Sequence, residues 1–115
     1  MQHFYDRYRF AEDRFAHRDY FGAARILAEL LKEAAERPDD VGHGLGEARL
    51  LLARAYYHSA QLRPAEAIVR EVLADHPTDA YAALLLARTL ERGSRHDEAE
   101  AAFRVAEALG AVPVG

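Results

Sequence analysis

The sequence contains no cysteine and no tryptophan, and it has few β-branched residues. Without cysteine the chain cannot form a disulfide, a thiolate metal site or a cysteine nucleophile. The shortage of β-branched residues argues against a sheet. A basic excess is also lacking, since the formal net charge is −4 and the pI is near 5.8. A protein whose main ligand is a nucleic-acid backbone usually carries such an excess, so we expect no nucleic-acid partner.

Long apolar runs are absent as well. No stretch approaches the roughly 20 residues needed to span a bilayer, and the charged opening segment MQHFYDRYRF lacks the apolar core of a secretory signal. We therefore expect a cytoplasmic protein without a membrane partner. Fourteen arginines stand against one lysine, Lys32. That ratio is typical of GC-rich bacterial genomes, so we expect a bacterial source.

Alanine and leucine are abundant, and both are strong helix formers. Apolar residues at helical spacing predict six helices. They are expected over about residues 3–17, 19–36, 47–58, 64–75, 79–92 and 97–109. Pro64 suits the first turn of the fourth helix, and Thr78 or Asp79 can cap the fifth. Gly93 is expected to end the fifth helix in a left-handed conformation.

The tetrapeptide LLAR occurs at residues 51–54 and again at 85–88, an offset of 34 residues. The same offset matches small residues with small ones and large apolar residues with large ones. The matched pairs are Leu52 and Leu86, Ala53 and Ala87, Tyr56 and Leu90, Ala65 and Ala99, and Val69 and Phe103. The offset is therefore the period of a repeat.

These matched residues resemble the signature of the tetratricopeptide repeat, a helix–turn–helix of 34 residues. A first repeat fits less closely: Ala11 and Ala23 match the signature, but Arg14 stands where tyrosine is usual, and eight surplus residues separate Ala23 from Ala65. The resemblance implies an all-α fold of six helices, with antiparallel hairpins stacked as a short right-handed α-solenoid. It implies one domain over residues 1–115, with about three repeats at 4–37, 46–79 and 80–113 and a loop at 37–46.

Tetratricopeptide arrays are known mainly as binding scaffolds, so the resemblance implies protein–protein interaction through a concave groove lined by the first helix of each hairpin. The residues expected to contact a peptide or partner protein are Tyr8, Glu12, Arg54, Tyr57, Tyr81 and Arg88. Arg54 and Arg88 are one repeat apart, and each can fork onto a carboxylate, which favours an acidic partner. In the alternative interpretation Tyr8 and Phe15 are core residues, and Arg54 forms a structural ion pair with Glu12 or Glu91.

A second hypothesis is structural: a homodimer formed through the uncapped C-terminal end of the stack. Glu107 stands where the earlier repeats have Leu31 and Leu73, which suits a face in water. Leu85 is then expected to remain partly open. The residues proposed for self-association are Leu85, Val105 and Val112, although the apolar tail could instead cover this end.

Catalytic and metal-binding patterns are weak. The segment DDVGHGLGE brings Asp39, Asp40, His43 and Glu47 together, and oxygen ligands with one imidazole can bind a metal. A solvated loop is the simpler interpretation, so we expect no metal and no cofactor. GHGLG follows a helix rather than a strand, which argues against a phosphate loop. The six histidines include no pair at i, i+4, and we expect no enzymatic activity.

Overall fold

The helices follow the predicted pattern closely. A computed structural model of the chain describes residues 2–37 and 44–111. The described helices are α1 (Gln2–Ala16), α2 (Tyr20–Glu36), α3 (Leu45–His58), α4 (Leu62–Asp75), α5 (Ala80–Arg92) and α6 (His96–Ala108). No strand occurs in the part of the chain that the structure describes. The predicted all-α class with six helices is therefore confirmed.

Two aspartates fix the starts of α2 and α5. The Asp19 carboxylate accepts a hydrogen bond from the Gly22 amide at 2.9 Å, and the Asp79 carboxylate accepts one from the Ala82 amide at 3.0 Å. Each bond satisfies an N-terminal amide that has no partner inside its helix. Of the two predicted caps for α5, Asp79 is thus the one used. Pro64 lies in the first turn of α4, as predicted.

The prediction for Gly93 is wrong. Its φ is −82°, and the left-handed residue is the next one, Ser94, with φ of 63°. Arg18 and Ala60 adopt the same conformation, with φ of 65° and 62°. These three positions lie five residues before the repeat alanines Ala23, Ala65 and Ala99. The same backbone turn therefore recurs in each repeat, although no glycine occupies it.

The structure divides into two compact units, an N-terminal unit (residues 1–60) and a C-terminal unit (residues 61–115). In the N-terminal unit α2 packs against both α1 and α3, and α1 also touches α3. Ala11, Ala23 and Leu27 are fully buried in its core. The two alanines have little side chain to hold their helices apart, so the larger leucine fills the space beside them.

In the C-terminal unit α5 packs against both α4 and α6. Arg95, just before α6, hydrogen-bonds the carboxylates of Glu66 on α4 and Glu98 on α6. Arg70 donates to Glu66 as well, at 2.9 Å. Burial opposes ionisation of Glu66, but the hydrogen bonds from Arg95 and Arg70 outweigh it and lower the pKa of that carboxyl. This ion-pair network connects the first and last helices of the unit.

The expectation that Leu85 stays partly open is also wrong. Leu85 is only 5% exposed, because α5 is enclosed between α4 and α6. It cannot contribute to a surface for self-association. Val105 on α6 is exposed, whereas Val112 lies outside the described residues.

The segment considered for a metal site lies mostly outside the described residues. Asp39, Asp40 and His43 all fall between the two described ranges. Within the two described ranges, no group of three or more histidine, aspartate or glutamate side chains is placed to hold a metal ion. None of the helices in those ranges is long and apolar enough to cross a membrane.

Candidate partner-binding surface

Four aromatic side chains from three helices meet in the N-terminal unit, and we call them the aromatic cluster: Phe15, Tyr20, Tyr57 and His58. The ring centroids of Phe15 and Tyr20 lie 5.1 Å apart. His58 stacks on Tyr20 at 4.8 Å and meets the edges of Phe15 and Tyr57 at 5.6 and 5.4 Å. Such ring pairs each contribute about 0.5–1.5 kcal/mol beyond their burial. The cluster therefore connects α1, α2 and α3 at one end of this unit.

The cluster is not an ordinary core. His58 is exposed, and Phe15, Tyr20 and Tyr57 are only half-buried. A fully apolar core would enclose these rings, as it encloses Leu27 in the same unit. The rings thus stabilise the helix packing and at the same time present aromatic surface to solvent. Aromatic side chains of this kind are enriched at protein-binding surfaces.

Arg54 adds a positive charge to the aromatic cluster. Its guanidinium carbon lies 4.7 Å from the centre of the Phe15 ring, a cation–π contact. Among the described residues Arg54 forms no ion pair with Glu12, which is one of the two partners considered from the sequence. Stacking engages the flat face of the guanidinium and leaves the N–H donors around its edge able to bind a carboxylate.

Tyr8 lies on the same helix as Phe15, about two turns earlier. It is half-buried and stacks parallel to Phe4, with a centroid distance of 6.5 Å. Burial raises the pKa of its phenol, nearby Glu12 and Glu47 raise the pKa further, and Arg54 acts against them. The hydroxyl therefore stays protonated, so it can donate a hydrogen bond to an acceptor on a partner.

The six predicted contact residues fall in both units. Tyr8, Glu12, Arg54 and Tyr57 all belong to the N-terminal unit. The electrostatic coupling of Tyr8 to Glu12 and Arg54 shows that these three lie near one another. Tyr81 and Arg88 belong to α5 of the C-terminal unit, where Tyr81 is exposed and Arg88 is half-buried. They are seven residues apart and so share one face of α5. That all six line one groove stays a prediction.

Sequence reasoning missed Tyr20 as a member of this surface. It gave weight to periodicity along the first helix of each hairpin, and Tyr20 begins a second helix. The repeat offers no help, because the equivalent positions hold Leu62 and His96. Only the packing of α2 between α1 and α3 brings the Tyr20 ring to His58.

Helix hairpins with small residues at fixed repeat positions define a helical-repeat protein. A family model described as Tetratricopeptide repeat matches residues 14–89, about two-thirds of the chain. The chain belongs to the tetratricopeptide repeat family, and six helices fit about three repeats. A search of curated proteins finds none that matches it. Repeats of this family generally mediate protein–protein interaction, and the family is of the non-enzymatic scaffold type.

Proposed function

We propose that this protein is an interaction scaffold that binds an acidic segment of a partner protein through Arg54 and the aromatic cluster. The observation that carries the proposal is the position of Arg54. Its charge is held over the Phe15 ring, beside half-buried tyrosines, instead of in an ion pair with Glu12. Tyrosine and arginine dominate the energetics of many interfaces, because they combine large contact area with directed hydrogen bonds.

In this proposal the aromatic rings supply apolar contact area, and Arg54 supplies the selection for a carboxylate. Glu12 and Glu47 lie near Tyr8 and make this surface less positive, so the attraction for a carboxylate depends on its direct contact with the Arg54 guanidinium. Tyr81 and Arg88 on α5 are proposed to contact further residues of the same partner. No catalytic step is assigned to this surface.

The test uses an array of acidic peptides that also contain aromatic residues, followed by fluorescence polarisation with the peptides that bind. Changing both Arg54→Glu and Arg88→Glu should weaken binding at least tenfold, which is about 1.4 kcal/mol. Arg54→Glu alone should account for much of this loss. The far-UV circular dichroism should not change, because both positions are on already formed helices.

Arg104→Glu is the matched control. Arg104 is exposed on α6 and, among the residues that the structure describes, pairs with Glu100 one turn away. The same charge change there should leave peptide binding intact. The proposal fails if the Arg54 and Arg88 double variant binds as tightly as the natural protein. It fails equally if the array peptides bind no better than versions in which amides replace the carboxylates.

A further inference from the structure

The first of two unusual positions is Phe10 on α1. By the repeat it is equivalent to Leu52 on α3 and Leu86 on α5, which are 2% and 8% exposed. Each of those leucines lies on a helix that packs against the preceding helix, α2 for α3 and α4 for α5. Phe10 is 54% exposed. The residue that is buried against a preceding helix in two repeats is therefore an exposed phenylalanine in α1.

The second position is Phe103 on α6. Its equivalents are Leu27 on α2 and Val69 on α4, and both are completely buried. Both belong to helices that pack against the helix that follows them. Phe103 is only half-buried, and with Ala99 it lines an open cavity of about 440 Å³. We call this cavity the α6 cavity. On α2 and α4 the equivalent residues, Leu27 and Val69, lie on helices that pack against the next helix of the chain.

The two surfaces also differ in charge. Three carboxylates line the α6 cavity, those of Glu91, Glu100 and Glu107. Arg104 pairs with Glu100 at 2.9 Å, so Glu91 and Glu107 leave the cavity negative. On α1, Arg7 and Arg14 stand three residues before and four after Phe10, on the same helical face. Arg7 is already paired with both carboxylate oxygens of Glu33 at 2.8 Å, whereas Arg14 has only a longer contact of 3.7 Å to Asp19. Arg14 is therefore the cation of this face that we expect to meet a further carboxylate. The equivalent residues are Arg49 and Tyr56 on α3 and Ala83 and Leu90 on α5, so Arg14 has an uncharged counterpart in both later repeats. We call Arg7, Phe10 and Arg14 the α1 face.

We propose that the α6 cavity of one copy of this protein binds the α1 face of a second copy. Phe10 then packs on Phe103 as Leu52 and Leu86 are packed within the chain, and Arg14 lies against Glu91 or Glu107. The interaction continues the repeat from one molecule into the next. Because the two contacting surfaces are different, a pair of copies still has one unused α1 face and one unused α6 cavity. The association can therefore continue into chains or closed rings instead of stopping at a symmetric dimer.

The first measurement is the mass in solution by light scattering over a wide concentration range. The natural protein should rise above its monomer mass of 12.9 kDa as the concentration increases. Phe10→Glu removes the α1 face, and the pair Glu91→Arg with Glu107→Arg reverses the α6 cavity. All three positions are exposed, so the fold should tolerate these changes. Each variant alone should remain a monomer at every concentration.

Mixing the two variants makes the test specific. The Phe10 variant still has its cavity, and the Glu91 and Glu107 variant still has its α1 face. Together they should form a complex of twice the monomer mass that does not grow further. Val105→Glu is the control, because Val105 is exposed on α6 at a position where the other repeats carry Glu29 and Glu71. It should associate as the natural protein does.

Three results would overturn this proposal. They are a natural protein that stays a monomer throughout the concentration range, a Phe10 variant that associates normally, and a Val105→Glu variant that no longer associates. The two blocked variants can also be tested for peptide binding in the assay for Arg54. If a monomeric variant still binds the peptides, self-association and peptide binding use different surfaces, and each proposal can fail without the other.

Discussion

Single residues in the left-handed conformation mark the turn inside each repeat. At Ser94 the positive φ places Cβ close to the following carbonyl oxygen, which disfavours every residue except glycine. The amide of Arg95 donates to the carbonyl of Leu90 at 3.0 Å, so the backbone closes the end of α5 in a Schellman arrangement. The hydrogen bonds that end the helix therefore impose the left-handed conformation on Ser94, although serine does not favour it.

Exchanging the roles of Gly93 and Ser94 tests this directly. Ser94→Gly should raise the free energy of unfolding by up to about 1 kcal/mol, because it relieves the left-handed strain. Gly93→Ala should be neutral or stabilise by about 0.4–1 kcal/mol, since φ at Gly93 is −82° and the added Cβ meets nothing closer than 3.5 Å. Urea unfolding measures both.

Gly110→Ala is the control for that pair. Gly110 has φ of 98°, so the same glycine-to-alanine change should destabilise the protein there, although no atom obstructs the new Cβ. The assignment of the turn residues would be contradicted if Gly110→Ala stabilised the protein, or if Gly93→Ala destabilised it as much as Gly110→Ala does.

Tyr8 is a single residue that makes the stability of the protein depend on pH. Its ordinary pKa of 10.0 is raised in the folded protein, mainly by burial. Above about pH 10 the unfolded chain therefore loses this proton more readily than the folded chain, and the free energy of unfolding falls as the pH rises. One proton contributes at most about 1.4 kcal/mol per pH unit. Tyr8→Phe should remove this part of the alkaline loss.

Urea unfolding of both proteins at neutral pH and near pH 11 gives the comparison. The difference in stability between the natural protein and Tyr8→Phe should be constant around neutral pH, where the phenol is protonated in both states. Only above about pH 10 should the natural protein lose more of its free energy of unfolding than Tyr8→Phe does. A parallel loss in both proteins over the alkaline range would show that Tyr8 is not responsible.

Among the elements, α4 shows how the repeat pattern fixes helix packing. Ala65 on this helix is fully buried, and Ala67 two residues later is exposed. Ala65→Leu should destabilise by about 1–3 kcal/mol or more, because the extra carbons have no space between closely packed helices. Ala67→Leu places the same side chain in solvent on the same helix and should change the stability by less than about 0.5 kcal/mol. Thermal or urea unfolding distinguishes them, and equal effects would contradict the close packing at Ala65.

At the scale of the whole molecule, charge limits the choice of partner. With a net charge of −4 the protein is repelled by a nucleic-acid backbone, so we expect few phosphate contacts and little counterion release. Fluorescence anisotropy with labelled duplex DNA at about 0.15 M salt should show a dissociation constant weaker than about 10⁻⁴ M. Tighter binding that weakens steeply with added salt would show that the arginines form a basic surface after all.

The sequence predicted the fold class well for a physical reason. Helix formation depends on local features, namely apolar spacing, capping side chains and propensity, and the offset of 34 residues identified the repeat family without any tertiary information. The sequence offered Thr78 and Asp79 as caps for α5, and the structure shows that Asp79 is the one that accepts the hydrogen bond. Gly93 was misassigned because a glycine beside a helix end is a strong local indicator, whereas the turn itself is positioned by the hydrogen bonds that close the helix.

The sequence by itself determined the six helices, their approximate ends, the repeat and the small buried residues that the repeat places at helix contacts. Only the tertiary structure decided which side chains meet. It joined Phe15, Tyr20 and His58 from three helices, set Arg54 over a ring instead of beside Glu12, and enclosed Leu85 while leaving Phe10 and Phe103 open. Periodicity assigns a residue to a face of its own helix. The burial of that face depends on whether a neighbouring helix covers it, and this depends on packing between distant parts of the chain.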